Sequence, residues 1–160
     1  MKSKEEDLLD GQDRATKESL SWTEALLANT APLSQQISLS QVQQISPTAL
    51  AYLGDAIYEM YVRIFYLLPL QRPETYHRLV VAQVRAETQA LHLRSLTPHL
   101  RNTELEIVRR GRNAATGRPK RLDPQIYQQA TSLETLIGYL YLTDCQRLTE
   151  LLEILHLEKE

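Results

Sequence analysis

The chain has 160 residues, of which 42% are hydrophobic and 24% charged, and its formal net charge at pH 7 is −2. That length suits one domain with a substantial core and is too short for us to expect two. A single cysteine forms neither an intramolecular disulfide nor a zinc site by itself, and no apolar run approaches the roughly 18 residues that span a membrane. We therefore expect a soluble cytoplasmic protein.

The charges are distributed unevenly along the chain. Residues 1–40 hold seven acidic and four basic side chains, whereas residues 41–140 hold eight acidic and twelve basic ones, eleven of them arginine. Because the arginine fork matches phosphate geometry better than the lysine ammonium group does, we expect an anionic partner to bind the middle of the chain.

Residues 1–36 are predicted to form a flexible polar extension, because their hydrophobic periodicity is weak and most of them are polar or small. After this segment, helical periodicity is interrupted only by Gly, Pro and Ser. No sustained alternation of apolar and polar residues predicts a strand. We therefore predict an all-α domain over residues 37–160.

The first long helix is predicted in ISPTALAYLGDAIYEMYVRIFYLL, where Ser46 is the expected N-cap and Pro47 suits the first turn. Its core face should consist of apolar residues at helical spacing, namely Leu50, Leu53, Ile57, Met60, Tyr61 and Ile64. Asp55 projects from roughly the opposite side. That side is also largely apolar, so we expect this helix to be covered on both sides, including at Ala51, Tyr58 and Val62.

A second helix is predicted from Pro73 or Glu74 to about Leu96, with Arg78, Arg85 and Gln89 aligned along one flank. A short helix over residues 101–110 should follow it.

Residues 109–121, RRGRNAATGRPKR, form a basic segment that we predict to be a loop. It holds six basic side chains and no acidic one. Such charges repel one another unless an anion joins them, and Gly111 and Gly117 would let the backbone approach a phosphate. The lack of aromatic residues favours recognition of a nucleic-acid backbone over base stacking. An ordinary solvated loop is the alternative.

A further long helix is predicted in DPQIYQQATSLETLIGYLYLTD, capped by Asp123 and buried nearly all round, and a last amphipathic helix in CQRLTELLEIL. Glu134 lies in the apolar part of the long helix, where no cationic residue is within one turn. A buried carboxylate of this kind becomes protonated, pairs with a group on another helix, or binds a cation.

Gly54 and Gly138 would let the two long helices approach closely, so that Asp55 and Glu134 face each other. Two carboxylates on one site suit Mg²⁺, which keeps several of its waters. A structural salt bridge from Glu134 to an arginine is the alternative that spacing alone favours, with Arg63 and Arg85 as the candidates.

Four segments, in order, resemble the ribonuclease III family. LAYLGDAIYEMYVR resembles the signature helix of its catalytic domain, usually ERLEFLGDAVLE, and TSLETLIGYLYLTD resembles its second acidic motif, DxFEALIGAIYLD. With VRAETQA and RRGRNAATGRPK, these segments are most similar to the Mini-ribonuclease III branch, which lacks a double-stranded-RNA-binding domain. The resemblance covers about residues 40–155.

The resemblance implies a helical homodimer with the signature helices at its interface, which hydrolyses double-stranded RNA and leaves 5′-phosphate and 3′-hydroxyl ends. It implies that Asp55 and Glu134 are the catalytic residues and the Mg²⁺ ligands. The implied substrate is ribosomal RNA precursor, at the ends of the large-subunit (23S) RNA. The residues expected to contact RNA are Arg78, Arg85, Arg109, Arg110, Arg112, Asn113, Arg118 and Lys120.

Three positions depart from the pattern of the larger ribonucleases III, because Thr48, Ala51 and Thr131 stand where those enzymes have acidic residues. The Mini-ribonuclease III branch shares this reduced set, so an active enzyme is still expected. Fewer carboxylates would leave more of the metal's coordination shell to water and RNA. A catalytically silent dimer that binds double-stranded RNA and a purely structural helical dimer are the alternatives.

Overall fold

A computed structural model describes residues 36–117 and 121–157, and within these ranges the chain folds into α-helices without β-strands. The helices are α1 (Leu39–Gln44), α2 (Pro47–Leu67), α3 (Pro73–Val84), α4 (Ala86–Leu96), α5 (Asn102–Ala114), α6 (Pro124–Thr143) and α7 (Cys145–Ile154), with a 3₁₀ turn at Thr97–His99. The prediction of an all-α fold is confirmed. No described helix is both long enough and apolar enough to cross a membrane. The predicted extension lies almost wholly outside the described residues, so its boundary stays a prediction.

The two long helices begin where the sequence predicted. The Ser46 hydroxyl accepts a hydrogen bond from the Ala49 amide at 3.1 Å, and Pro47 occupies the first position of α2. At the start of α6, the Asp123 carboxylate accepts from two backbone amides of the first turn. Such caps satisfy amide groups that have no partner inside the helix. The short helix α1, which has its own capping box at Ser38, was not predicted.

The single helix predicted up to Leu96 is wrong, because the chain breaks at Arg85, where φ is −66° and ψ is 151°. Such a break leaves the last carbonyl groups of α3 without amide partners. Side chains replace those partners: Thr88 donates to Ala82 (2.6 Å), Tyr58 to Gln83 (3.1 Å) and Gln89 to Val84 (2.9 Å). The sequence therefore compensates the break with three polar side chains.

Helix α6 is the centre of the domain and packs against α2, α4 and α5. Burial of α2 on both sides is confirmed, because Tyr58 and Val62 are as inaccessible as the predicted core residues Leu50 and Ile57. Tyr61 is buried as well, whereas the other residues of the predicted core face of α2, Leu53, Met60 and Ile64, are only partly covered in the single chain. These three residues are called the outer stripe of α2 below.

Helix α7 is held against α5 by a buried ion pair. The Arg147 guanidinium donates to Glu104 at 2.7 and 3.1 Å and to the carbonyl of His99 at 2.8 Å. Burial alone would raise the pKa of Glu104, but hydrogen bonds from Arg147 and from the Arg101 amide outweigh it, and the net pKa is lowered. The carboxylate is therefore ionised and fully partnered.

Candidate active site

The two predicted acidic residues lie on α2 and α6, the helices with the most extensive contact in the domain. A Cβ atom on Gly54 would overlap the carbonyl group of Glu134, and one on Gly138 would overlap the carbonyl of Leu50. The backbones of the two helices therefore touch, as the glycines predicted. Asp55 follows Gly54 directly, and Gly54 touches the backbone of Glu134, so both acidic residues lie beside this helix contact.

Neither carboxyl group has an environment that favours its charged form. Burial, followed by the negative charge of Asp55, raises the pKa of Glu134 to about 7, although the side-chain amide of Gln89 acts in the opposite direction. Asp55 is largely exposed, and partial desolvation followed by the charge of Glu59 raises its pKa. The two acidic groups therefore lie close enough to repel each other, and a cation would relieve that repulsion.

The alternative of a structural salt bridge at Glu134 is not realised. Arg63 pairs with Glu59 at 2.7 Å, and the Arg85 Nε atom donates to Thr88 at 3.2 Å. Both candidate arginines therefore have other partners. Over the described ranges, the groups that act on the Glu134 carboxyl are Asp55 and Gln89, and neither of them is cationic.

The donor set of this acid pair fits Mg²⁺ better than a softer metal, because it offers carboxylate oxygens and neither imidazole nor thiolate. No group of three or more acidic, histidine or cysteine side chains that could hold a metal occurs in the described part of the chain. Thr131, one turn before Glu134, accordingly supplies no carboxylate. Two protein ligands are nevertheless sufficient for Mg²⁺, which commonly retains water and binds substrate phosphate.

The basic segment is not a loop over its whole length, because α5 continues to Ala114. A Cβ atom on Gly111 would lie only 2.5 Å from Thr135 Oγ1 and 3.2 Å from the Cα atom of Ser132. The glycine therefore allows α5 to pack against α6, and its predicted role in approaching a phosphate is wrong. Gly117 lies in the open with φ of +73°, a conformation that glycine adopts without strain.

The predicted RNA-contacting residues have different surroundings. Arg109 is already paired with Glu106, at 2.6 and 2.9 Å, a pairing that the basic run by itself does not reveal. Arg112 and Asn113 are exposed on α5. Arg110 is half-buried on α5, and Arg78 on α3 and Arg85 at its end are exposed. Arg118 and Lys120 lie outside the described ranges.

Gln89 is the site residue whose position the sequence did not indicate. It was expected on an arginine-lined flank, but it is buried on α4, where its Nε2 atom donates to the Val84 carbonyl and its amide lowers the pKa of the Glu134 carboxyl. Only the resemblance of VRAETQA to a family segment marked this region, and that resemblance assigned the glutamine no role.

Comparison with known proteins agrees with this geometry. The model of the Ribonuclease III domain matches residues 48–144, which include both acidic residues. A Mini-ribonuclease 3 of Synechocystis sp. is 59% identical over 116 residues, covering 72% of this chain and 81% of that protein. A Mini-ribonuclease 3 of Synechococcus sp. is 58% identical over 119 residues, covering 74% and 86%. The crystal structure of a Fusobacterium nucleatum protein superposes with a TM-score of 0.64 and 31% identity, covering 68% of this chain and 90% of that one.

Proposed function

This chain belongs to the ribonuclease III domain family, in its Mini-ribonuclease III branch, and we propose from that membership that it is an endoribonuclease that cleaves double-stranded RNA. The observation that carries the proposal is the acid pair. Asp55 and Glu134 are brought together by a backbone contact between two helices, and no cationic side chain of the described residues neutralises Glu134. A structural role alone would not require two acidic residues to face each other in this way.

In the proposed mechanism, Asp55 and Glu134 would hold Mg²⁺. When bound, the ion would supply an activated water and offset the negative charge that develops on the scissile phosphate. The protein's own contribution is to place the two carboxylates, and the contacts at Gly54 and Gly138 do this through backbone atoms that cannot rotate away. The proposed products carry 5′-phosphate and 3′-hydroxyl ends.

The proposed RNA path uses the arginines of α3 and α5. Helix α5 packs directly against α6, the helix of Glu134, through Gly111. Arg112 and Asn113 are exposed on α5. Contacts of this kind would recognise the shape and phosphates of an A-form duplex with little regard to sequence. Following the branch resemblance, we propose the ends of the large-subunit ribosomal RNA precursor as substrate, processed in the cytoplasm.

The proposed active form is a homodimer joined through the outer stripe of α2 and the exposed Tyr52 beside it. Tyr52, three residues before Asp55, is 85% exposed in the single chain, and the stripe itself is apolar and only partly covered. Such surfaces are typical of protein interfaces. By light scattering, we expect a dimer that Tyr52→Asp converts to a monomer, while Leu91→Asp, at an exposed leucine of α4, leaves the dimer intact. A dimeric Tyr52→Asp variant would place the interface elsewhere.

A cleavage assay on a long RNA duplex tests the enzymatic proposal. We expect cutting in Mg²⁺ and none in EDTA, and we expect Asp55→Asn and Glu134→Gln each to abolish cutting while binding to the duplex persists. Glu153→Gln, an exposed acid on α7, is the matched control and should cut like the wild type. Binding without cutting by the wild-type protein would instead support the silent RNA-binding dimer. If the wild-type protein neither binds nor cuts the duplex, the structural dimer is the supported alternative.

A further inference from the structure

An open cavity lies between the end of α5 and the start of α6. It has a volume of about 310 Å³ and is lined by Ala115, Gly117, Pro124, Tyr127 and Gln128; it is called the α5–α6 cavity below. At Gly117 the wall is bare backbone, with nothing within 4 Å of the position that a side chain would take. This volume lies at the lower end of the range of about 300 to 1,000 Å³ for small-molecule pockets, so the cavity suits a group about the size of one sugar.

The side chains of this lining that can hydrogen-bond are those of Tyr127 and Gln128, and both are half-buried. Over the described ranges, neither the Tyr127 hydroxyl nor the Gln128 side-chain amide forms a hydrogen bond to another residue. The next glutamine differs, because Gln129 accepts a hydrogen bond from Arg94 at 2.9 Å. The two groups in the cavity are therefore available to a ligand, and the described part of the lining carries no charged side chain.

The α5–α6 cavity lies on the same side of α6 as the acid pair. Tyr127, Thr131 and Glu134 are separated by four and three residues, so the helix places them on one face, and all three are half-buried. Seven residues of helix rise about 10 Å, the length of a few base pairs of a duplex. The opposite wall follows directly after the exposed Arg112 and Asn113 of α5. A duplex held against Glu134 and these two residues would therefore pass over the cavity.

We propose that the α5–α6 cavity is a ribose subsite, in which Tyr127 and Gln128 hydrogen-bond to a 2′-hydroxyl group of the RNA a few base pairs from the scissile phosphate. The inference rests on the proposed function, because it takes the chain to cleave a duplex held at Asp55 and Glu134. A 2′-hydroxyl both donates and accepts hydrogen bonds, and a phenol and an amide can do both in return. The minor groove of an A-form helix is wide and shallow and displays these hydroxyls, so side chains beside an open cavity can reach them.

A phosphate fits the α5–α6 cavity less well than a ribose does. Phosphates are commonly bound by arginine or lysine, and the described lining offers a phenol and an amide instead. Arg112, which is exposed on the neighbouring end of α5, is the better group for the phosphates. Because the 2′-hydroxyl is what distinguishes RNA from DNA, Tyr127 and Gln128 would contribute to the preference for RNA.

RNA duplexes in which one 2′-hydroxyl at a time is replaced by hydrogen, around the cleaved bond, test the ribose subsite on the full chain. For the wild type we expect kcat/KM to fall about 2-fold to 10-fold at a position a few base pairs from that bond, the effect of one hydrogen bond. Gln128→Leu should cut the unsubstituted duplex more slowly by a similar factor and should no longer respond to the substitution there. Gln129→Leu is the matched control, because its amide is paired with Arg94, and it should cut and respond like the wild type.

The outcomes separate the ribose subsite from the proposed function. The subsite is refuted, and the proposed function stands, if the wild type cuts the duplex but ignores all the substitutions, if Gln128→Leu keeps the wild-type response, or if Gln129→Leu loses it equally. If the wild type does not cut the duplex, both are refuted. Tyr127→Phe, which removes only the hydroxyl, replaces Gln128→Leu if that variant does not fold. Any effect of the substitution on the shape of the duplex acts on all variants alike, so their comparison isolates the contact.

Discussion

Replacing Gly54 with alanine tests the backbone contact that the candidate site depends on. On helix propensity alone, the substitution would stabilise α2 by about 1 kcal/mol. The added Cβ, however, would meet the carbonyl oxygen and carbon of Glu134 and the amide nitrogen of Gly138. All three are backbone atoms, so no side-chain rotation relieves the overlap and the helices must separate. Overpacking of this kind costs about 3 kcal/mol or more at its upper end, so we expect a net loss of about 2 kcal/mol.

Urea unfolding followed by circular dichroism measures this loss, and Ala56→Gly supplies the matched control. Ala56 is an exposed position of α2, two residues away, so glycine there should cost about 1 kcal/mol through propensity alone. Gly54→Ala should also lose cleavage under conditions where it is fully folded, since separation of the helices moves Asp55 away from Glu134. A Gly54→Ala variant as stable as the wild type would refute the close approach of α2 and α6.

Three further predictions concern charge. The pKa of Glu134 is raised from its ordinary 4.5 to about 7. At pH values between these two, Glu134 therefore keeps its proton in the folded metal-free chain but has released it in the unfolded chain. The free energy of unfolding should therefore fall by about 2 kcal/mol from pH 5 to pH 8, and an unchanged slope in Glu134→Gln would contradict this. Arg147→Ala should destabilise the fold by about 3 to 5 kcal/mol in urea titrations, because it leaves the carboxylate of Glu104 buried without its cation; a loss below 1 kcal/mol would argue against that burial. Arg112→Ala should weaken binding to an RNA duplex and reduce the salt slope by about 1, whereas Arg109→Ala, whose guanidinium is paired with Glu106, should change binding less. Equal effects in filter-binding titrations would refute the distinction.

The parts of the fold that follow local rules could be predicted from the sequence. The caps at Ser46 and Asp123 act within three residues of themselves, and the close approach at Gly54 and Gly138 follows from the absence of side chains on two apolar helices. These local features, together with the family resemblance, are enough to predict that Asp55 and Glu134 lie at one site.

The break at Arg85 could not be predicted in the same way, because its compensation is not local. One of the three side chains that replace the missing amide partners is Tyr58, which lies 25 residues before its acceptor Gln83. Periodicity over residues 73–96 is compatible with one continuous helix, and only the tertiary contacts decide against it. The burial of Gln89 depends on the same break, so it could not be inferred either. Helix α5 was underestimated for a different reason: Gly111 was interpreted as a loop residue, but it is a packing residue.

Three elements converge on two turns of α6, and this convergence explains how a reduced acid set could still be positioned accurately. Gly54 of α2 meets the Glu134 carbonyl, Gly111 of α5 meets Thr135, and the buried amide of Gln89 on α4 lowers the pKa of the Glu134 carboxyl. Where more carboxylates surround a metal, the ligands can adjust to one another, but two ligands leave the geometry to the scaffold. Here that scaffold includes the backbone contacts at Gly54 and Gly138, which cannot rearrange without separating the helices. Stability and the geometry of the proposed metal site therefore depend on the same helix contacts, so substitutions that loosen α6 should impair both together.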